Sequence, residues 1–163
     1  MNGTALKGLL RQIFALPAGL TGRQQQLIRA SFEHVLPIQE PAAALFYERL
    51  FALDPRLSAL FKADINEPGH KLMAMLRTVV DYSHCLGRLV PTLRDQGRRY
   101  GSLGVTDRDY DTVAAALMGL LEQELGADFT AETREAWMIW YGILANEMKA
   151  AANERNIPLL PPC

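Results

Sequence analysis

Hydrophobic positions recur three and four residues apart along most of this chain, which is the period of amphipathic helices. The first such segment runs from Leu6 to Leu16 and ends at Pro17 and Gly19. Helix-breaking residues fall between the later segments rather than inside them. The pattern therefore predicts an all-α fold of about seven helices, preceded by one N-terminal helix.

Capping residues mark where these helices begin. Thr21, Thr106 and Thr130 each stand before a helical pattern, where a threonine oxygen can accept a hydrogen bond from the first turn. Other helices are predicted for "PAAALFYERLFAL", for the short "DPRLSALF" and for "LVPTLRDQGRRY". A long helix is expected from about Glu67 to His84. The loops are short except around residues 62 to 69.

The length and charge of the chain are those of one domain. With 163 residues, of which 49% are hydrophobic, the chain can close a single core. We expect an amphipathic extension over residues 1–19, the folded domain over 20–155 and a proline-rich tail over 156–163. An extension of about a dozen helical residues favours packing on the domain or on a partner chain over membrane binding. The formal charge of −1 gives no reason to expect a nucleic-acid partner.

The number and spacing of the cysteines bear on the cellular compartment of the protein. Cys85 and Cys163 lack the number and spacing of a disulfide framework or a metal motif. Free thiols are the simplest interpretation, and no stretch has the length of a membrane span. These observations predict a cytoplasmic protein.

Six segments, taken together and in order, resemble the globin family. They are "LIRASFEHVLP", "LFYERLFALDPRLSALF", "HKLMAML", "LVPTLRDQGRRYGSLGV", "DYDTVAAALMGLLEQELG" and "FTAETREAWMIWYGILANEM", and they cover about residues 20 to 150. The resemblance is to bacterial single-domain globins and to the globin domain of flavohaemoglobins. It implies helices packed around a pocket that holds haem b.

The resemblance also implies roles for particular residues. Phe61 matches the phenylalanine that packs against haem, and Tyr47 matches the distal tyrosine that hydrogen-bonds a bound ligand. Leu72 matches an apolar distal residue, while the position that often holds a distal histidine or glutamine falls on Pro68. Tyr110 matches the tyrosine that orients the proximal histidine in flavohaemoglobins, whereas the glutamate of that relay falls near Ala152. Buried Phe, Tyr and Leu side chains can equally well only fill a core.

The proximal position departs from the family, because the motif that ends in histidine in relatives ends here in Tyr100. Tyrosinate is an axial ligand in some haem proteins and favours ferric iron, so such a site would store oxygen poorly. Arg98 and Arg99, next to Tyr100, are expected to point to other helix faces, whereas Gln96 shares its face. His70 is the alternative iron ligand, provided that the backbone near it is distorted.

Two hypotheses for function remain open. The first is a haem protein with tyrosine ligation, acting in gas or nitric oxide sensing or handling, or in haem binding. The second is a haem-free globin-fold regulatory or interaction module, whose pocket is filled by side chains or by an apolar molecule. The first implies a small diatomic ligand and an electron donor or signalling partner, and a homodimer fits either one. Enzyme activity stays open, but the lack of an intact proximal relay and of a recognisable reductase segment or hydrolase motif favours a protein that is not an enzyme.

Overall fold

Helices make up most of residues 19–61 and 70–153, which are the residues that this computed structural model describes. The α-helices in these ranges are α1 (Gly22–Val35), α2 (Gln39–Leu53), α3 (Leu57–Leu60), α4 (His70–Asp81), α5 (Val90–Ser102), α6 (Asp107–Leu125) and α7 (Ala131–Ala152). Short 3₁₀ segments span Leu36–Ile38, Leu86–Leu89 and Gly126–Asp128. Neither range contains a strand, so the predicted all-α class is confirmed. The predicted N-terminal helix, Pro68 and the proline-rich tail lie outside the described residues.

The predicted caps form as the sequence indicates. At the start of α1, the Gln24 amide donates to the Thr21 hydroxyl at 3.1 Å and the Thr21 amide donates to the Gln24 side chain at 3.0 Å. The Thr106 amide donates to an Asp109 carboxylate oxygen at 2.8 Å before α6. The Thr130 hydroxyl accepts from the Thr133 amide at 3.2 Å before α7. These bonds satisfy amides that have no partner within the helix.

Helix α4 ends at Asp81, so the predicted end at His84 is wrong. The backbone changes there from four-residue to three-residue hydrogen bonds, since the Ser83 amide donates to the Val80 carbonyl at 3.1 Å. This tighter turn leads into the 3₁₀ segment Leu86–Leu89. The predicted start near residue 67 lies outside the described residues.

Two tryptophans of α7 lie at the centre of the core. Trp137 and Trp140 are almost fully buried, with ring centroids 5.2 Å apart in an edge-to-face arrangement. The Trp137 indole N–H donates to the Ser31 hydroxyl at 2.8 Å, which ties α7 to α1. Helix α5 packs most extensively on α7, and α2 packs on α6.

Glycines bring α5 into backbone contact with α7. A Cβ atom added at Gly97 would lie 2.2 Å from the Met148 carbonyl oxygen, and one added at Gly101 would lie 2.9 Å from the Ala152 Cβ atom. Both distances are shorter than real Cβ contacts, so the two helices can approach this closely only because these residues have no side chain. The contact fixes the position of α5, the helix that carries Tyr100.

A buried ion pair lies in the same interface. The Glu147 side chain of α7 is 3% exposed, and its carboxylate lies 3.5 Å from the guanidinium of Arg94 on α5. Burial raises the pKa of Glu147, and the Arg94 charge opposes that shift. The pair therefore links the two helices at a desolvation cost to the carboxylate.

Cys85 is disulfide-bonded, so the expectation that both cysteines are free thiols is wrong. The chain contains only one other cysteine, Cys163, which lies outside the described residues. None of the described helices combines the length and the hydropathy needed to cross a membrane.

Candidate functional site

A cavity of about 450 Å³ lies between α4 and α5 and extends to α2, α6 and α7. This volume falls within the range of about 300–1,000 Å³ that is usual for small-molecule and cofactor pockets. Most of its wall is apolar, formed by Phe46, Phe61, Leu72, Met75, Leu76, Val79, Leu89, Leu93, Val105, Val113, Leu117, Leu144, Ala145 and Met148. The site can therefore accept a largely apolar molecule.

The cavity brings together five of the side chains singled out in the sequence, Tyr47, Phe61, Leu72, Tyr100 and Tyr110. Leu72, on the first turn of α4, is 9% exposed. Tyr47 lies on α2, where its ring packs edge-on against one phenylalanine and stacked on another, with centroids 5.3 and 5.8 Å away. Five residues that are far apart in sequence thus share one site.

The two other predicted site residues cannot be assigned to the cavity. Pro68 lies outside the described residues, and the structure describes no side chain for His70, the first residue of α4. The His34 ring is hydrogen-bonded to the Ala30 carbonyl, and the His84 ring stacks on Tyr82. Among the described side chains, no histidine lines the cavity. The described residues also contain no cluster of three or more His, Cys, Asp or Glu that could hold a metal ion.

Tyr100 enters the cavity from α5, and its ring lies directly against Phe61. The two ring centroids are 5.9 Å apart, with their planes inclined at 53°. Gln96, one turn earlier on α5, lines the same cavity, as its spacing from Tyr100 predicts. Arg99 is exposed, yet its side chain also reaches the cavity wall. Arg98 instead pairs with Asp95 at 3.1 Å on the surface.

Tyr110 of α6 places a buried hydroxyl beside the cavity. It is 7% exposed, and its hydroxyl has no hydrogen-bond partner among the described residues. Burial, and then the charges of Tyr100 and Asp107, raise the pKa of Tyr110 to about 12. The Lys149 ammonium lies over the Tyr110 ring, 5.6 Å from its centroid. An unpartnered donor of this kind is costly unless a bound molecule or water completes it.

The lining also contains polar side chains that were not predicted as site residues, and three of them, Tyr141, Asp109 and Trp140, are at least partly buried. The Tyr141 hydroxyl donates to the Tyr110 carbonyl at 2.6 Å, and burial raises the pKa of Tyr141 well above its ordinary value. Asp109 is 4% exposed, with one carboxylate oxygen 3.7 Å from the Arg56 guanidinium. The indole nitrogen of Trp140 is buried, and none of the residues that the structure describes accepts a hydrogen bond from it. In the sequence Asp109 was identifiable only as a cap, and the other two only as members of a helical stripe.

Comparisons with known proteins agree with this architecture. The globin family profile matches residues 44–148. Neuroglobins from Chaenocephalus aceratus and Danio rerio are 29% and 28% identical over 143 residues, covering 79% of this chain and 90% of each relative. A solved flavohemoglobin from Malassezia yamatoensis, with bound FAD and heme, superposes with a TM-score of 0.67 at 22% identity. That alignment covers 83% of this chain but only 37% of the flavohemoglobin, and it shows likeness of fold.

The fold and the cavity define an all-α protein that encloses a largely apolar ligand pocket. The family profile covers well over half of the chain, and its boundaries enclose α3 to α6 together with most of α2 and α7. The chain belongs to the globin family, which confirms the resemblance inferred from the sequence.

Proposed function

We propose that this globin binds haem in the cavity and that Tyr100 is the proximal iron ligand. The observation that carries the proposal is that the Tyr100 phenol lines the cavity from α5, while no histidine does so among the described side chains. A pocket of mainly apolar side chains that also presents the Tyr100 phenol fits a porphyrin that carries ferric iron. The Tyr110 hydroxyl, which has no hydrogen-bond partner among the described residues, offers a further polar contact in the cavity.

Tyrosine ligation determines the iron state that the pocket favours. A phenol has an ordinary pKa of about 10, so ligation near neutral pH must lower this pKa by about 3 units, which corresponds to about 4 kcal/mol. Ferric iron supplies this stabilisation better than ferrous iron, because an anionic oxygen ligand favours the higher charge. We therefore expect haem b in the ferric state and a role in gas or nitric oxide handling, or in haem binding, rather than oxygen storage.

The distal side of the proposed site combines one hydroxyl with apolar walls. Tyr47 is the candidate donor for a small diatomic ligand, while Leu72 and Phe61 exclude water. Pro68 and His70 stay predictions for this side. The same proposal includes a folded domain over residues 20–155. It also includes a separate electron donor or signalling partner and assembly into a homodimer.

An absorption spectrum tests the ligand directly. We expect hemin to add to the purified protein with one-to-one stoichiometry, giving a Soret band and a phenolate charge-transfer band. Tyr100→Phe should lose the charge-transfer band, whereas Tyr82→Phe, at a half-buried tyrosine that does not line the cavity, should keep it. A charge-transfer band that survives in Tyr100→Phe would move the ligand elsewhere, with His70 as the first candidate.

The second candidate function is a haem-free regulatory or interaction module. It is favoured by the direct contact between the Phe61 and Tyr100 rings, which occupies part of the pocket with side chains. If the wild-type protein takes up no hemin while Tyr100→His does, the scaffold retains a haem pocket that serves another ligand. Uptake by wild type with ligation through Tyr100 would exclude this function.

A further inference from the structure

The contact between Phe61 and Tyr100 sets a condition on how haem can reach its proposed ligand. A macrocycle that packs against Phe61 and is ligated by Tyr100 lies between the two rings. Phe61 on one face needs about 3.5 Å to the macrocycle, and a phenol that reaches iron through its oxygen holds its ring at least as far from the other face, so the ring centroids must stand more than about 7 Å apart. Their centroids are 5.9 Å apart, which is the spacing of a direct aromatic pair.

The two rings differ in how firmly their backbones are held. Tyr100 lies on α5, which Gly97 and Gly101 bring into backbone contact with α7. Phe61 follows the four-residue helix α3, and its amide bonds back to the Leu57 carbonyl at 3.1 Å. Because α5 is fixed by the core, Phe61 is the side that can move away.

We propose that Phe61 shields Tyr100 in the ligand-free protein and that its displacement limits the rate of haem uptake. This inference rests on the proposed function. Phe61 then has two opposing effects, since it slows association while its ring covers Tyr100 and slows dissociation once it packs against the bound macrocycle. A residue that only lines the pocket would have the second effect alone.

Hemin association kinetics separate these roles. Trp140 lines the cavity, so quenching of its fluorescence in a stopped-flow experiment reports arrival of the macrocycle. We expect Phe61→Leu to raise the association rate about twofold to tenfold, the range set by the energy of one aromatic ring pair, and to raise the dissociation rate as well. An association rate that is unchanged or lower in Phe61→Leu overturns the inference.

A matched control is available on α2. Phe51 is half-buried and stacks on Tyr47 at 5.8 Å but does not line the cavity, so Phe51→Leu removes a ring of the same size outside the uptake route. Its association rate should equal that of wild type. A rise equal to that of Phe61→Leu would mean general loosening of the domain and would also overturn the inference.

The wild-type protein gives a second readout that needs no variant to fold. In ligand-free protein we expect a nuclear Overhauser effect between the Phe61 and Tyr100 ring protons, lost on adding gallium protoporphyrin, a diamagnetic analogue of ferric haem. Absence of this effect in the ligand-free protein, or its persistence after loading, overturns the inference while leaving Tyr100 ligation intact. If Tyr100→Phe loses the phenolate band and the ring contact behaves as described, both proposals stand. No porphyrin binding by wild type or Phe61→Leu overturns both.

Discussion

Replacing Gly97 by alanine should disrupt the contact that holds the proposed ligand helix in place. The new Cβ atom would lie 2.2 Å from the Met148 carbonyl oxygen, whereas real Cβ contacts essentially never fall below 3.0 Å. Helix α5 or α7 must therefore shift by at least about 0.8 Å, the difference between these two distances. No side-chain rotamer can relieve the overlap, because the opposing atom belongs to the backbone.

The change in the free energy of unfolding caused by Gly97→Ala is the sum of two opposing contributions. Overpacking of a tight core costs about 1–3 kcal/mol, and a backbone-to-backbone clash belongs at the upper end of that range. Alanine recovers about 0.5–1 kcal/mol of helix stability relative to glycine. We expect a net loss of about 2 kcal/mol, and a fall in Tm of about 4–8 °C for a chain of this size.

Urea unfolding followed by circular dichroism measures this loss, and Gly142→Ala is its control. Gly142 lies within α7, and a Cβ atom added there would meet nothing within 4 Å, so that variant should gain about 0.5–1 kcal/mol. Equal stability changes in Gly97→Ala and Gly142→Ala would refute the packing argument. If α5 shifts, hemin affinity should fall in Gly97→Ala and stay unchanged in Gly142→Ala.

Three further predictions concern other parts of the fold. Ser31→Ala leaves the buried Trp137 indole N–H without its partner and should cost about 1–3 kcal/mol in urea unfolding, and a change below about 0.5 kcal/mol would argue against that bond. Burial raises the pKa of Glu147, so the folded state binds its proton more tightly than the unfolded chain does. The free energy of unfolding of the wild type should therefore fall, relative to that of Glu147→Gln, as pH rises from the ordinary carboxyl pKa through the raised one. A constant difference between the two proteins across pH 4 to 8 would contradict this. Thr21→Ala removes the hydroxyl acceptor of the first capping box and should lower the free energy of unfolding by about 1 kcal/mol, whereas Thr21→Ser should not.

The sequence predicts the helices of this fold well because their signals are local. Apolar periodicity and cap residues act within one or two turns, so Thr21 and Thr106 mark helix starts without knowledge of the tertiary structure. The end of α4 was harder to predict, since a three-residue hydrogen-bond pattern stops the helix at Asp81 while its apolar stripe continues. The bonded state of Cys85 was missed because the number and spacing of cysteines do not reveal it.

The candidate site was predictable only as far as family resemblance reached. Tyr47, Phe61, Leu72, Tyr100 and Tyr110 come from four helices and the end of a fifth, and no periodicity shows that they share one cavity. The contact between two of their rings depends on how α3 and α5 are placed in space, which is decided by tertiary packing. Residue spacing likewise does not show that the long, exposed side chain of Arg99 reaches the rim of the pocket from a neighbouring helix face.

The charges around Tyr100 bear on why a phenol can stand at this position. From the sequence alone Tyr100 lacked a cation on its own helix face, yet Arg99 lines the cavity and the Lys149 ammonium lies over the ring of Tyr110. The carboxylate of Asp109 also lines the cavity, but the Thr106 amide and the Arg56 guanidinium stand beside its two oxygens. A positive charge beside a phenol favours its anionic form, and a nearby carboxylate opposes it. A histidine ligand is tuned by a carboxylate that draws its proton, whereas a tyrosinate ligand is stabilised by positive charge. If Tyr100 is the iron ligand as proposed, positive charge near its oxygen would help to stabilise the bound phenolate.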